Sequence, residues 1–302
     1  MTGLVLRAAG PRLRVRTALG DVDALLPGRF RWEGERAVAG DRVRLERRGD
    51  AWVVVEVEPR RSTLRRRLAG LRRGSRVLVA NVDFVGVVCA AARPDPSPTL
   101  VDRLLVLVES SELPPLLVVN KIDLVDPPAA RSFFGLYERI GYEVLYTSVV
   151  TGEGIAALRQ RMCAGISTLI GPSGAGKSSL LNAVEPGLQR RVGEVSAKGG
   201  WGRHTTTAAE LVPLSCGGYV ADTPGLREIH LWEIDPAALD ACFPEFRPYL
   251  GACRFGRSCT HRHEPDCAVR AALARGEIAP SRYESYRILR AEAERAMQER
   301  YR

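Results

Sequence analysis

From Leu13 to Glu58, apolar and polar residues alternate in short runs, RLRVRT, VDALL, RVRLE and WVVVEVE, separated by turn-forming pairs such as Leu19-Gly20, Gly40-Asp41 and Gly49-Asp50. Period-two alternation turns one side of each run to a core and the other to water, which predicts a small antiparallel β domain. At about sixty residues, with several strands and a basic surface, an oligonucleotide-binding (OB) barrel is favoured, with an SH3-like barrel as the alternative. Beyond a basic connector, PRRSTLRRR (Pro59 to Arg67), the period changes. Apolar runs FVGVVCA, PPLLVVN, EVLYT and ISTLI alternate with segments of helical periodicity, SPTLVDRLLVLVES, SFFGLYERI and GIAALRQRM. Such alternation predicts a mainly parallel sheet flanked by helices. Farther on, AELVPL and YVAD, joined through Gly217 and Gly218, suit a hairpin.

The last part of the chain differs again. It predicts a helix opening at Asp235-Pro236, a Cys/His cluster, a helix from about Ala268 ended by Gly276, and a final helix. In that helix Ser281 and Glu284 form a capping-box pattern, and Tyr283, Tyr286, Leu289, Ala293 and Met297 share an apolar face. The expected organisation is therefore a barrel over 1–58, a basic linker over 59–76, an α/β domain over 77–230 and a helical metal-binding domain over 231–302.

Charge sharpens this division. Residues 1–76 hold 19 Arg, no Lys and 9 acidic residues, a net +10, against −1 for the remainder of a chain whose total is +9. A polyanion is the partner such a surface favours, and the connector suits both a phosphate contact and a hinge. No apolar run approaches the roughly 18 residues of a membrane span. The N-terminus MTGLVLRAAGPRLRVR lacks the apolar core of a secretory signal, so a cytoplasmic location without membrane attachment is expected. Seven Cys do not read as a disulfide scaffold, and three of them cluster around a histidine.

The strongest chemistry begins where the run Ile166 to Ile170 enters Gly171-Pro172-Ser173-Gly174-Ala175-Gly176-Lys177-Ser178, with Ser179-Leu180-Leu181-Asn182 continuing as a helix. Strand, glycine loop and helix together cradle phosphates on backbone N–H groups; Lys177 reaches the terminal phosphates and the Ser178 hydroxyl binds magnesium. Downstream, Tyr219-Val220-Ala221 leads into Asp222-Thr223-Pro224-Gly225, an acid placed to hold magnesium followed by a glycine whose N–H can touch the γ-phosphate. Between them lies Gly202-Arg203-His204-Thr205-Thr206-Thr207, where Thr206, or alternatively Thr205, completes the magnesium shell.

The base is guanine if a carboxylate accepts from both the ring N–H and the exocyclic amine. Asp123 of Asn120-Lys121-Ile122-Asp123 suits that role, with Asn120 tying the loop to the phosphate site and Lys121 covering the ring. Tyr146-Thr147-Ser148 ends the next strand, from which backbone can approach the guanine oxygen. Both base-reading elements precede the phosphate loop. Strands keep their places whichever loop is cut, so this order describes a circularly permuted P-loop GTPase domain. Leu226 follows Gly225 where many such enzymes carry a water-positioning Gln, which leaves His204 as the local candidate for activation. Finally, Cys253, Cys259, His261 and Cys267, spaced C-x5-C-x-H-x5-C, suit one closed tetrahedral zinc, with His263 as an alternative nitrogen ligand.

On these residues the chain resembles the ribosome small-subunit-dependent GTPase A family of bacteria, circularly permuted GTPases of late small-subunit assembly. The likeness runs nearly end to end, through PRRSTLRRR, ANVD at Ala80 to Asp83, NKID, SGAGKSSLLN, GRHTTT, DTPGLRE, the cysteine cluster running into HEPDCAV, and SRYESY. It implies hydrolysis of GTP to GDP and phosphate, stimulation by the small ribosomal subunit, rRNA binding through the barrel and zinc regions, and release upon hydrolysis; a monomer is expected. By the same likeness Asn120, Lys121 and Asp123 read guanine, Gly171 to Ser179 hold phosphates and magnesium, the Cys/His set binds zinc, and His204 matches the family's switch histidine. Two departures stand out: five residues separate Cys253 from Cys259 where the family has four, and Val149 follows Ser148 where Ala is usual. The competing class is an RNA-binding assembly scaffold that keeps its nucleotide as a structural ligand, or a GTPase directed at another RNA; measured turnover separates the scaffold from the enzyme.

Overall fold

The structure, a computed structural model, describes residues 1–28, 30, 36–67, 75–188, 209–222 and 235–299. Five strands open the chain: β1 (Thr2–Ala9), β2 (Arg12–Thr17), β3 (Gly20–Leu25), β4 (Arg42–Arg48) and β5 (Ala51–Val57). Their alternation has the predicted consequence, since Leu13, Val15 and Thr17 of β2 are buried while Arg12 and Arg14 are exposed. Strands β1, β2 and β3 form an antiparallel meander, β3 runs parallel to β5, β5 pairs antiparallel with β4, and β4 returns to β1. The ring β1-β2-β3-β5-β4 is a closed OB-type barrel around Val5, Leu13, Val15, Val43, Leu45 and Val54.

The connector is more ordered than its composition suggests. It forms β6 (Thr63–Arg67), which pairs antiparallel with β7 (Ser75–Ala80). Ahead of β6, the Arg60 guanidinium makes bonds of 2.7 and 2.8 Å to the carboxylate of Asp41, which is fully buried. A buried charge without a partner costs several kcal/mol, about 3–5, so Arg60 is anchored to the barrel.

The α/β elements follow in order: β8 (Phe84–Ala90), α1 (Pro98–Glu109), β9 (Pro115–Asn120), α2 (Pro127–Ile140), β10 (Glu143–Thr147), α3 (Ile155–Cys163), β11 (Ile166–Ile170), α4 (Lys177–Val184), β12 (Glu210–Pro213) and β13 (Tyr219–Asp222). Proline at the first turn suits the starts of α1 and α2, because its fixed φ is helical and its missing N–H is not needed there. Gly141, left-handed at φ 103°, ends α2.

The chain divides into two compact units, one of Met1–Gly86, Gly152–Ile170 and Lys177–Glu228, the other of Val87–Thr151, Gly171–Gly176 and Ile229–Arg302. In the first unit β11 runs parallel to β13, and β12 and β13 form the expected hairpin. The outer edge of β12 pairs with the barrel strand β1 through Arg7 and Glu210, just past a register shift in β1 between Val5 and Arg7. A disulfide joins Cys163 at the end of α3 to Cys216 in the hairpin turn, and the other five cysteines form no disulfide. The pairing was invisible in the sequence because its members lie 53 residues apart and belong to no spacing motif.

In the second unit β9 and β10 are parallel and β9 also pairs with β8. The continuous apolar runs of β8 and β9 arise because both faces are covered; from Leu116 to Asn120 every residue of β9 is buried. The C-terminal part adds α5 (Ala268–Ala274) and α6 (Pro280–Glu299). The helix expected at Asp235-Pro236 is instead a chain of 3-10 turns over Pro236–Ala238, Asp240–Cys242 and Pro244–Tyr249, capped by Asp235 and interrupted by prolines. The expected capping box is not formed. Ala279, not Ser281, accepts the first helical N–H bonds, Pro280 takes the first helical position, and Glu284 pairs with Arg287 at 2.9 Å. Tyr286, Leu289 and Ala293 are buried as read, whereas Met297 is exposed.

Arg282 is the pivot of this region. Fully buried, it bonds Asp102 of α1 at 2.6 Å and grips the Glu245 carboxylate at 2.6 and 3.1 Å, with its guanidinium 4.6 Å from the Phe243 ring. Such a network fixes α6 on α1, because removing one member strands the others in a low-dielectric interior.

Candidate functional site

The parallel strands β9 and β10 end together at Asn120 and Thr147, which are register partners. The loops that follow therefore start side by side, and Asp123 and Ser148 meet: the Ser148 hydroxyl donates to Asp123 Oδ1 at 2.5 Å. The same hydroxyl accepts from the N–H groups of Val150 and Thr151 at 3.2 and 3.1 Å, so the serine closes its own loop while aiming the carboxylate. Asn120 is buried; its amide donates to the Ala175 carbonyl at 2.9 Å and its oxygen accepts from Thr147 Oγ1 at 3.3 Å. A residue 55 positions upstream is thereby fastened to the glycine loop, as the permuted order requires. Lys121, at a left-handed φ of 63°, donates its ammonium to the Arg93 carbonyl.

Glycine is demanded twice in Gly171–Gly176. A Cβ on Gly171 would fall 2.1 Å from the Val88 carbonyl oxygen, and one on Gly176, which has φ +93°, would fall 2.2 Å from Asn120 Nδ2. Gly174 also has positive φ, at +79°, and the hydroxyl-bearing Ser173 is exposed. Ala175 is buried. In the first unit, α4 opens at Lys177 with Ser178 and Ser179 exposed and no acid in its first turn, so nothing there opposes an anion. Strand β13, parallel to β11, ends in Asp222.

Asp222 is the cross-strand partner of Glu210, which itself pairs with Arg7 and makes a 3.5 Å ion pair with it. Burial, foremost, raises the Glu210 carboxyl above its usual range; Arg7 and Arg14 oppose the rise and the Asp222 charge adds to it. His204, Thr205, Thr206, Gly225 and Leu226 lie outside the described residues.

The Cys/His set converges. The ligand atoms of Cys253, Cys259, His261 and Cys267 all lie within 4.8 Å of one another and all four residues are buried, whereas His263 is exposed and outside the cluster. Zinc-bound sulfurs at about 2.3 Å in a tetrahedron stand about 3.8 Å apart. The Cys253 and Cys267 sulfurs are 3.8 Å apart, and His261 Nδ1 lies 3.6 and 3.3 Å from them, so the residues fit that ion. Burial works against ionisation of the thiols. At Cys253 the backbone N–H groups of Ala268 and Val269 outweigh it and hold the thiol below its usual range, while Cys259 is pushed up to about 12. Between Cys253 and Cys259 the chain turns through Gly256–Ser258, where Gly256 has φ +53°.

Three contacts have no counterpart in the motifs: Ser148 with Asp123, Thr147 with Asn120, and Asp240 with His261, whose Nε2 lies 3.3 Å from Asp240 Oδ2. The first two follow from strand register. The third joins residues 21 positions apart with no pattern between them.

The family model described as RsgA GTPase matches residues 57–232. A protein of Gemmatimonas aurantiaca named small ribosomal subunit biogenesis GTPase RsgA is 47% identical over 298 residues, covering 96% of this chain and 97% of the relative. Among solved structures, YjeQ from Thermotoga maritima matches with a TM-score of 0.76 and 35% identity over 97% of this chain and 98% of its own. YloQ, described as a circularly permuted GTPase, matches with a TM-score of 0.74 and 27% identity over 97% of this chain and 94% of its own. With nearly full-length relatives, a glycine loop fastened to an upstream NKID segment and a Cys/His centre behind them, the chain belongs to the RsgA GTPase family.

Proposed function

We propose that the chain hydrolyses GTP to GDP and phosphate during late maturation of the small ribosomal subunit, that the subunit stimulates this turnover, and that hydrolysis times its release. The observation that carries the reading is the Asn120 to Ala175 bond, which ties a guanine-reading loop to a phosphate loop that follows it in the chain. The basic barrel and the zinc region hold rRNA, and the protein works as a cytoplasmic monomer.

Asp123, oriented by Ser148, accepts from the guanine ring N–H and exocyclic amine, and the Lys121 stem covers the ring. Backbone N–H groups of the glycine loop and the Lys177 ammonium hold the phosphates, with Ser173 and Ser179 flanking them. Ser178, Thr206 and Asp222 would hold magnesium, which when bound neutralises charge developing on the β- and γ-phosphates. Gly225 offers its N–H to the γ-phosphate and Thr205 neighbours the magnesium threonine. Leu226 has no group to orient water, so attack depends on His204 or on a group supplied by the subunit. Cys253, Cys259, His261 and Cys267 would hold one structural zinc, which supplies a cross-link rather than chemistry.

The test is GTP turnover by the protein alone, with small subunits and with large subunits, with Lys177→Ala as control in each. The expected result is a rise with small subunits only, by about 100-fold or more given what a positioned activating group contributes, abolished in the variant. Low turnover throughout, despite tight GTP binding, would defeat it.

A further inference from the structure

The two ring nitrogens of His261 face different partners. Nδ1 lies among the thiols, 3.6 Å from Cys253 Sγ and 3.3 Å from Cys267 Sγ, while Nε2 lies 3.3 Å from Asp240 Oδ2. Asp240 comes from the 3-10 turn Asp240–Cys242, outside the cysteine loop. Its other oxygen, Oδ1, accepts from the Ala241 N–H at 2.8 Å, so the carboxylate is not free to swing away, and its side chain is largely buried.

The histidine is also held from its backbone. It adopts φ 58°, Tyr283 OH donates to its carbonyl at 2.6 Å, and Tyr286 OH donates to the Thr260 carbonyl at 2.9 Å. Glu264 accepts from the N–H groups of Thr260, Arg262 and His263, which fixes the turn on either side. Phe246 meets the imidazole edge-on, with ring centroids 6.4 Å apart. A ring so fenced has one freedom that matters for metal binding: which nitrogen carries the proton.

A neutral imidazole has one N–H and one lone pair. A carboxylate accepts and cannot donate, so a proton on Nε2 is bonded to Asp240 and the Nδ1 lone pair is left pointing at the thiols. We propose that Asp240 is a positioning residue of the zinc centre: by accepting the Nε2 proton it selects the His261 tautomer that binds through Nδ1 and strengthens that nitrogen as a donor. The inference rests on the zinc reading of the Cys/His set. Outer partners of this kind are worth about 10–100-fold in metal affinity.

The full-length protein, Asp240→Ala and Asp240→Asn would be compared by zinc competition against a chromophoric chelator, and by nitrogen NMR of the His261 ring in the metal-free state. Asparagine keeps the shape and, with its oxygen on the Ala241 N–H, turns an NH2 donor toward Nε2, so it opposes the Nε2-protonated tautomer and remains informative if alanine fails to fold. The expected result is one zinc per wild-type chain, with affinity about 10–100-fold lower in Asp240→Ala and at least as low in Asp240→Asn. In addition, the Nε2-protonated tautomer should dominate in the wild type and lose that dominance in both variants. A merely structural role would leave the tautomer balance unmoved, and zinc affinities equal to wild type in both variants would overturn the proposal. Absence of zinc binding by the wild type would instead defeat the zinc reading, and this inference with it.

Discussion

The NKID loop and the Cys/His centre belong to one compact unit but are assembled by opposite means. The loop draws Asn120, Asp123, Ser148 and Ala175 from three separate segments, and the ends of two parallel strands bring them together. The four Cys/His residues lie between Cys253 and Cys267, on short turns, and their ligand atoms all fall within 4.8 Å of one another. Sheet register carries the first site; the second is gathered by short spacings within one stretch of chain. A site of the first kind survives reordering of the chain, which is why permutation left it intact. A site of the second kind depends on local spacing and on metal.

The largest effect should come from removing zinc. Chelation is expected to speed amide exchange across Cys253–Cys267 by about 1000-fold or more, since coordination is folding energy for such loops. Helix α6 should stay protected, because Arg282 holds it to Asp102 and Glu245 without help from the metal. GTP affinity, measured on the same sample, should change less than about threefold because sheet register carries the base site. Collapse of both sites together would show that they are not independent.

Next in size is Asp123→Asn. Losing the charged partner of two guanine hydrogen bonds is expected to weaken GTP binding by about 100-fold or more, with zinc content unchanged. Xanthosine triphosphate should recover much of the loss, because its carbonyl can accept from the new amide; calorimetry with both nucleotides checks this. Equal weakening of both would place Asp123 away from the base.

Smallest is Ser148→Ala, which removes the 2.5 Å bond that aims Asp123. One hydrogen bond is worth about 1 kcal/mol, so GTP affinity should fall about fivefold. An unchanged affinity would mean that backbone alone orients the carboxylate.

What was legible follows the same division. Gly171 to Ser178, Asn120 to Asp123 and the Cys/His set could be read because the chemistry demands particular residues at short spacings. Alternation gave the barrel strands, but not their closure with β3 parallel to β5, which depends on long-range pairing. Thr147 and Ser148 acquire side-chain roles only once β10 is set beside β9. Ser281 misled because proline at position 280 competes for the start of α6 and wins. Cys163 with Cys216, and Asp240 with His261, are pairs that no local pattern announces.

One row of residues has a further consequence. Arg7, Glu210 and Asp222 lie on neighbouring strands β1, β12 and β13, each paired with the next. Cross-strand partners share a face of the sheet and sit about 5 Å apart, so the barrel is not a bead on a string. It is stitched into the ladder that ends in Asp222. To turn the barrel against that hairpin would unpick the rung at Arg7 first, and the two can part only by sacrificing a backbone pairing and an ion pair together. The joint is built like a seam, and whatever grips the barrel also holds the thread that runs to Asp222.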